Sequence, residues 1–204
     1  MALRIALGVV GVLVTVLACG KGAPATPLAA AAREGSLADI DRLIASGANP
    51  NEPSGRADWP PLVHAIHKRQ HAAVERLLDR GASVAGDAGR TALFMASGYG
   101  DARTVKLLMA RGVAMPRTAE EAGRLIAAAV GGAWDIDSDW AGCALHTEVV
   151  RLLVERDPDF RVVRVLSPRS FARARATVEN RIASAYARSR GCEEMLRLLE
   201  VRRG

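Results

Sequence analysis

Aromatic side chains make up only 4% of the 204 residues. That scarcity argues against a sheet sandwich, whose faces lean on Val, Tyr and Phe, and suits closely stacked helices rich in Ala, Leu and Arg. The charge-free apolar run at residues 5–18 is 14 residues long, short of the ~20 that a bilayer-spanning helix needs. No glycine-rich phosphate loop, nucleophile elbow or zinc-protease helix occurs. Ser97 precedes Gly-Tyr-Gly, but within a helical stretch instead of a strand-to-helix turn. Catalysis and bound cofactors or metals are therefore not expected.

What is present is apolar surface: half of the residues are hydrophobic, enough for one domain with a continuous core. The formal charge is +6, unevenly spread. Residues 161–203 hold eleven Arg against Glu179, Glu193, Glu194 and Glu200, a local excess of +7 that reads as a solvated helix face or as a surface for anionic partners.

The first twenty residues, MALRIALGVVGVLVTVLACG, run from one basic residue through an apolar stretch to a cysteine, the order of a secretory signal. Val16, Leu17, Ala18 and Cys19 resemble the bacterial lipobox. The resemblance implies removal of residues 1–18, lipidation of Cys19 and a membrane anchor, with residues 19–25 as a tether. The implied location is the cell envelope, facing the periplasm, at the outer membrane where one exists, since Gly20 and not Asp follows the cysteine. Secretion speaks against a nucleic-acid partner.

Self-comparison shows a period near 33 residues. TPLAAAAREGSLADIDRLIASGANPN from Thr26 aligns without gaps on PPLVHAIHKRQHAAVERLLDRGASVA from Pro60 and TALFMASGYGDARTVKLLMARGVAMP from Thr91. Each unit predicts a short helix from the Thr or Pro, kept thin by Ala31, Ala65 or Ala96, then a turn and a second helix. The second helices carry the pairs Leu43–Ile44, Leu77–Leu78 and Leu107–Leu108 and end at Gly47, Gly81 and Gly112. One unit alone cannot bury its apolar face, so the units must stack.

These three units resemble ankyrin repeats, the first most closely; the second has Arg69 at the turn glycine and the third has Ala92 for proline. The expected fold is an all-α solenoid of about five helix-turn-helix units. Three regular repeats occupy residues 26–115, and two degenerate ones occupy 116–204. In the fourth unit, 125–132 and 146–155 supply the helices around an insertion at 133–145. The fifth uses 184–191 and 192–200 after an insertion at 160–181.

In that family, partners dock on the concave face and loop tips. Carried over by position, the implied contacts are Ala30, Arg33, Glu34, His64, His67, Lys68, Met95 and Tyr99. Loop residues Glu52, Arg56, Asp58, Trp59, Asp87 and Arg90 extend the surface. Trp134, Asp135, Asp137, Asp139 and Trp140 in the insertion form a second candidate contact, or fold back to cap the groove and pair with the basic C-terminal segment. Neither they nor His64, His67 and His71 make a metal site: the EF-hand pattern fails at Trp140 and His146, and a turn separates His71. With Cys19 lipidated, Cys143 and Cys192 remain as a candidate disulfide in an oxidising compartment, two free thiols being the alternative. The expected function is a membrane-tethered, monomeric protein-interaction module that binds an unidentified protein such as a toxin. The alternative is an envelope scaffold whose basic end contacts anionic lipid or cell-wall polymer.

Overall fold

The computed structural model describes residues 23–118, positions 121, 124, 125, 128 and 129, residues 143–155 and position 194. Seven helices are delimited among them: α1 (Pro27–Glu34), α2 (Leu37–Ala45), α3 (Pro61–His67), α4 (His71–Asp79), α5 (Gly86–Gly98), α6 (Ala102–Ala110) and α7 (Cys143–Glu155). No strand accompanies them among the described residues; the one bridge joins Ser54 and Trp59. None of these helices is long and apolar enough to cross a membrane. Among the described residues the chain adopts the expected all-α solenoid of helix-turn-helix units; apart from position 194, the expected fifth unit and the insertion at 160–181 lie outside them.

Inner helices α1, α3 and α5 stack in one row and outer helices α2, α4 and α6 in another, with α7 continuing the outer row on α6. Local chemistry starts and stops them. Thr26 caps α1 by accepting from the Ala29 amide at 3.3 Å, and Pro27 supplies the first helical residue. The inner row stacks closely because its buried faces are small: Ala29, Ala31, Ala32, Ala65, Ala92 and Ala96. The outer helices bury stripes at helical spacing, Ala73, Val74, Leu77 and Leu78 in α4 and Thr104, Val105, Leu108 and Met109 in α6. Each fully buried Leu contributes about 1.5–3 kcal/mol.

Leu108 and Met109, not the expected Leu107 and Leu108, form the buried pair of the third unit; Leu107 is only partly buried. Position sets this. Leu108 stands where the gapless repeat register puts Leu43 and Leu77, so Leu107 faces one helical step away.

Three helices also begin earlier than expected, α7 among them at Cys143 instead of residue 146. α5 starts at Gly86 and not at Thr91, because the second inter-unit loop is short. Between α2 and α3 the chain has residues 46–60 for a hairpin, but between α4 and α5 it has only 80–85, and the rest is wound into helix. Gly89 permits this: a Cβ there would lie 1.7 Å from the Val84 carbonyl oxygen. The first helix of the fourth unit, expected from Leu125, is already helical at Glu121. There Thr118 Oγ1 accepts from the Glu121 amide at 3.2 Å, and the Glu121 carboxylate accepts from the Arg117 amide at 2.9 Å, a reciprocal cap of the capping-box kind.

Across the outer row, ion pairs join successive units: Asp41 with Arg76 and Arg80, Glu75 with Arg103, Asp79 with Arg111, and Lys106 with Glu148. Arg151 then pairs with both Glu148 and Glu194, the latter itself helical. These groups are partly to largely solvated and contribute about 0–1 kcal/mol each. Replacement of Glu75 by the isosteric, uncharged Gln is expected to cost no more than about 1 kcal/mol in urea unfolding.

Candidate functional site

The turn inside each unit joins its inner helix to its outer helix. Its left-handed position is Gly35 in the first unit (φ 78°), Gly100 in the third (φ 64°) and Arg69 in the second (φ 53°). A non-glycine residue there is strained, and the Arg69 side chain offsets it. Its guanidinium donates to the Tyr99 carbonyl at 2.6 Å and lies 5.7 Å from the Tyr99 ring centroid. Arg69 thus fastens the second unit to the third. Arg69→Ala keeps the strain and loses the tie, whereas Arg69→Gly loses both. Ala is expected to be less stable than Gly by about 1 kcal/mol, read from urea unfolding midpoints. Equal stability of the two would remove the strain argument.

The neighbouring turn contacts follow the same logic. Gln70 donates to the Arg33 carbonyl at 3.4 Å, His71 Nε2 meets the Asp101 carboxylate at 2.8 Å, and His146 Nδ1 meets the Ala129 carbonyl at 2.9 Å. The buried His146 ring lies against the turn of the third unit, where a Cβ on Gly100 would come within 3.1 Å of it.

Above the turns, a row of rings crosses three units. Trp59, in the hairpin ahead of α3, stands edge-on to His64 at 5.6 Å and tilted against His67 at 5.3 Å. His67 continues to Tyr99 at 5.9 Å between centroids, with Nδ1 2.6 Å from the Tyr99 hydroxyl. The hairpin is closed by two bonds between Ser54 and Trp59, amide to carbonyl at 2.9 and 3.2 Å. The Ser54 hydroxyl accepts from the Ala25 and Thr26 amides at 2.7 and 3.0 Å, so the chain entering α1 is clasped by the hairpin. Asn51 ties this loop to the next one, donating to the Gly81 carbonyl at 3.1 Å and accepting from the Ser83 amide at 2.7 Å.

Several expected contacts occupy different environments from those implied. His64, Met95 and Tyr99 are buried and not surface groups. His64 is fully enclosed, its Nε2 3.3 Å from the Ser54 carbonyl and its Nδ1 without a hydrogen-bond partner among the described residues. Burial pushes its pKa below the usual imidazole range; the Ser54 carbonyl works against this and the Arg33 charge works with it. Met95 and Tyr99 face the core because α5 turns them onto the stacked neighbours. Asp87 and Arg90 are exposed helical residues of α5, paired with each other, and not loop residues. Ala30, Arg33, Trp59 and His67 are half-buried, and Glu34, Glu52, Arg56, Asp58 and Lys68 are exposed.

Cys19, Trp134, Asp135, Asp137, Asp139, Trp140 and Cys192 lie outside the described residues, as does the side chain of Cys143 at the start of α7. The candidate disulfide and the Trp-Asp insertion are therefore not described.

Two features went unread in the sequence. One is Arg69 as an inter-unit clamp, signalled by an arginine where a glycine belongs. The other is a cleft of about 340 Å³ between the early-starting helical segments. Leu93, Phe94, Ala114, Pro116 and Leu125 give it apolar walls, and Arg90 and Arg124 stand at it with Asp87 and Glu121. No group of three or more His, Cys, Asp or Glu among the described residues could hold a metal ion.

A family model for ankyrin repeats matches residues 28–119 as three copies. No curated protein is significantly similar to the chain.

Proposed function

Starting from three ankyrin repeats packed as one solenoid, a protein-protein interaction module, we propose that the chain acts at the cell envelope, held to the membrane by lipidated Cys19, and binds a protein on its concave face so as to inhibit it. The order of residues 1–20 supports the anchor, since a short apolar run ends on Val-Leu-Ala-Cys. A toxin is the partner class that fits an inhibitory module of this placement.

The observation that carries the binding face is the half-buried pair of rings Trp59 and His67, backed from beneath by buried Tyr99 and bordered by Arg33, Glu34, Lys68 and Arg69. A half-buried aromatic platform with a charged rim suits a folded partner better than a small apolar ligand. The platform is also held in place before binding, because His67 is locked to Tyr99 and Arg69 to the Tyr99 carbonyl. Preorganisation of this kind lowers the entropic cost of association.

The test compares faces. Tagged protein and variants are recovered from native envelopes, the captured partner is identified, and its affinity is measured on purified components. Arg33→Glu with Lys68→Glu is expected to weaken binding at least about tenfold, and Arg103→Glu with Arg80→Glu on the outer row to leave it within about threefold. The reverse pattern rejects the concave face. The anchor is tested separately: Cys19→Ala should abolish incorporation of labelled fatty acid and release the protein from membranes.

A further inference from the structure

We propose that His64 is an acid-sensitive latch. It holds the hairpin at residues 54–59, and with it the chain at residues 25–26, against the inner helices; protonation of its ring releases both.

The geometry assigns the tautomer. The Ser54 carbonyl can only accept, so His64 Nε2 must carry the hydrogen in the 3.3 Å contact, which leaves Nδ1 as a bare lone pair. That nitrogen is completely buried and has no hydrogen-bond partner among the described residues. A second proton would place an N–H where none of the described residues offers an acceptor and make a cation of an enclosed ring. The surroundings do not welcome a cation. From α1 comes the guanidinium of Arg33, which weighs against the charge. His64's own helix supplies His67, with Lys68 just beyond its end, and the residue that ends α5, Tyr99, is bonded to His67. The hairpin contributes the Ser54 carbonyl and the Trp59 ring, with Arg56 and Asp58 exposed at its tip. The burial that depresses the His64 pKa is the same enclosure seen in the geometry.

The hairpin is the part that can give way. It is held by its two Ser54–Trp59 backbone bonds, the His64 contact and the Trp59 ring packing, while α3 behind it is fixed by core residues Leu62, Val63 and Ile66. The Ser54 hydroxyl also receives the Ala25 and Thr26 amides, so a hairpin that swings out frees the entry to α1 as well. Trp59 belongs to the proposed binding platform, but the latch itself does not depend on that reading or on any partner.

Sign follows from linkage. An unfolded His64 titrates near pH 6.5, and the folded one at lower pH. Between these values the open form binds more protons, so the closed hairpin loses stability as pH falls below about 6.5 and holds its full stability above it.

Hydrogen exchange on the full chain at pH 7.5 and pH 5.0, corrected for the intrinsic exchange rate at each pH, tests the latch. Protection of the segments around residues 23–30 and 52–60 is expected to fall together at low pH, by about tenfold for each unit by which the folded pKa lies below the unfolded one, up to the ~30-fold that pH 5.0 can reveal. Segments from α4 and α6 should hold. In His64→Gln, whose amide donates to the Ser54 carbonyl at either pH, the loss should vanish; in His67→Gln it should persist. Unchanged protection in the unmodified chain, or loss that survives His64→Gln, overturns the proposal. Should His64→Gln not fold, the His64 ring titration followed by NMR in the unmodified protein must share its midpoint with the loss of protection, and separate midpoints overturn it equally.

Discussion

Truncation of Leu77 to alanine is expected to lower the stability of the solenoid by about 2–5 kcal/mol, measured by urea unfolding followed by far-ultraviolet circular dichroism. Leu77 is fully buried in α4, the middle helix of the outer row, which packs on both α2 and α6. A cavity there strips contacts from two inter-unit seams at once. Because each unit is stable only through its neighbours, weakening the central one loosens both ends of the stack. Against a typical domain stability of about 5–15 kcal/mol, the loss is large enough to populate partly opened forms. Leu43, at the matching position of the first unit, is only partly buried and has a neighbour on one side, so Leu43→Ala should cost less than half as much. Leu77→Met, which keeps the volume, should cost under about 1.5 kcal/mol. Equal losses for Leu77→Ala and Leu43→Ala would mean that the units melt independently.

The regular units were legible because their signals are local. A Thr or Pro starts the first two inner helices, a glycine turns the first and third units, and the recurring leucine at Leu43, Leu77 and Leu108 marks the core side of the outer helix; each acts within about one helical turn of where it stands. What the sequence concealed depends on contacts between distant residues. The early start of α5 carries no capping residue, since Ala85 offers no side-chain acceptor, and it exists because Gly89 admits the Val84 carbonyl in a shortened loop. By contrast, the start near Glu121 was readable: Thr118 and Glu121 have capping-box spacing, masked by an apolar run that begins only at Leu125. In the candidate site, the positions of His67 and Lys68 could be carried over from the repeat pattern, but the burial of His64 could not. Its environment is made by Ser54 and Trp59, which belong to a hairpin whose closure is not written in the repeat. The clamp at Arg69 was half visible. An arginine at a turn-glycine position announced a departure, and only the stacked third unit shows what it reaches.

Asp101→Ala is expected to destabilise the fold by about 2–4 kcal/mol, because it removes a buried carboxylate that serves several donors. Asp101 caps α6, accepting from the Thr104 amide at 3.1 Å and the Thr104 hydroxyl at 2.7 Å, and it takes His71 Nε2 of the preceding unit at 2.8 Å. Loss of a helix cap costs about 0.5–2 kcal/mol. Thr104 is buried, so its stranded hydroxyl adds about 1–3 kcal/mol. Asp101→Asn should fall between, at about 1–2 kcal/mol, since its oxygen can still accept from the Thr104 amide while its nitrogen cannot replace the other acceptor. Coupling decides what the residue does for the stack. His71 opens α4 and Asp101 opens α6, so a double-mutant cycle of His71→Ala with Asp101→Ala isolates the link between units. An interaction energy of about 0.5–3 kcal/mol is expected. Strict additivity would reduce Asp101 to a cap and leave the seam between the second and third units to apolar packing and the Arg69 clamp. A coupling in the expected range makes the turn edge a continuous polar seam of Gln70, Arg69, His71 and Asp101, which holds the ring row of the concave face in register.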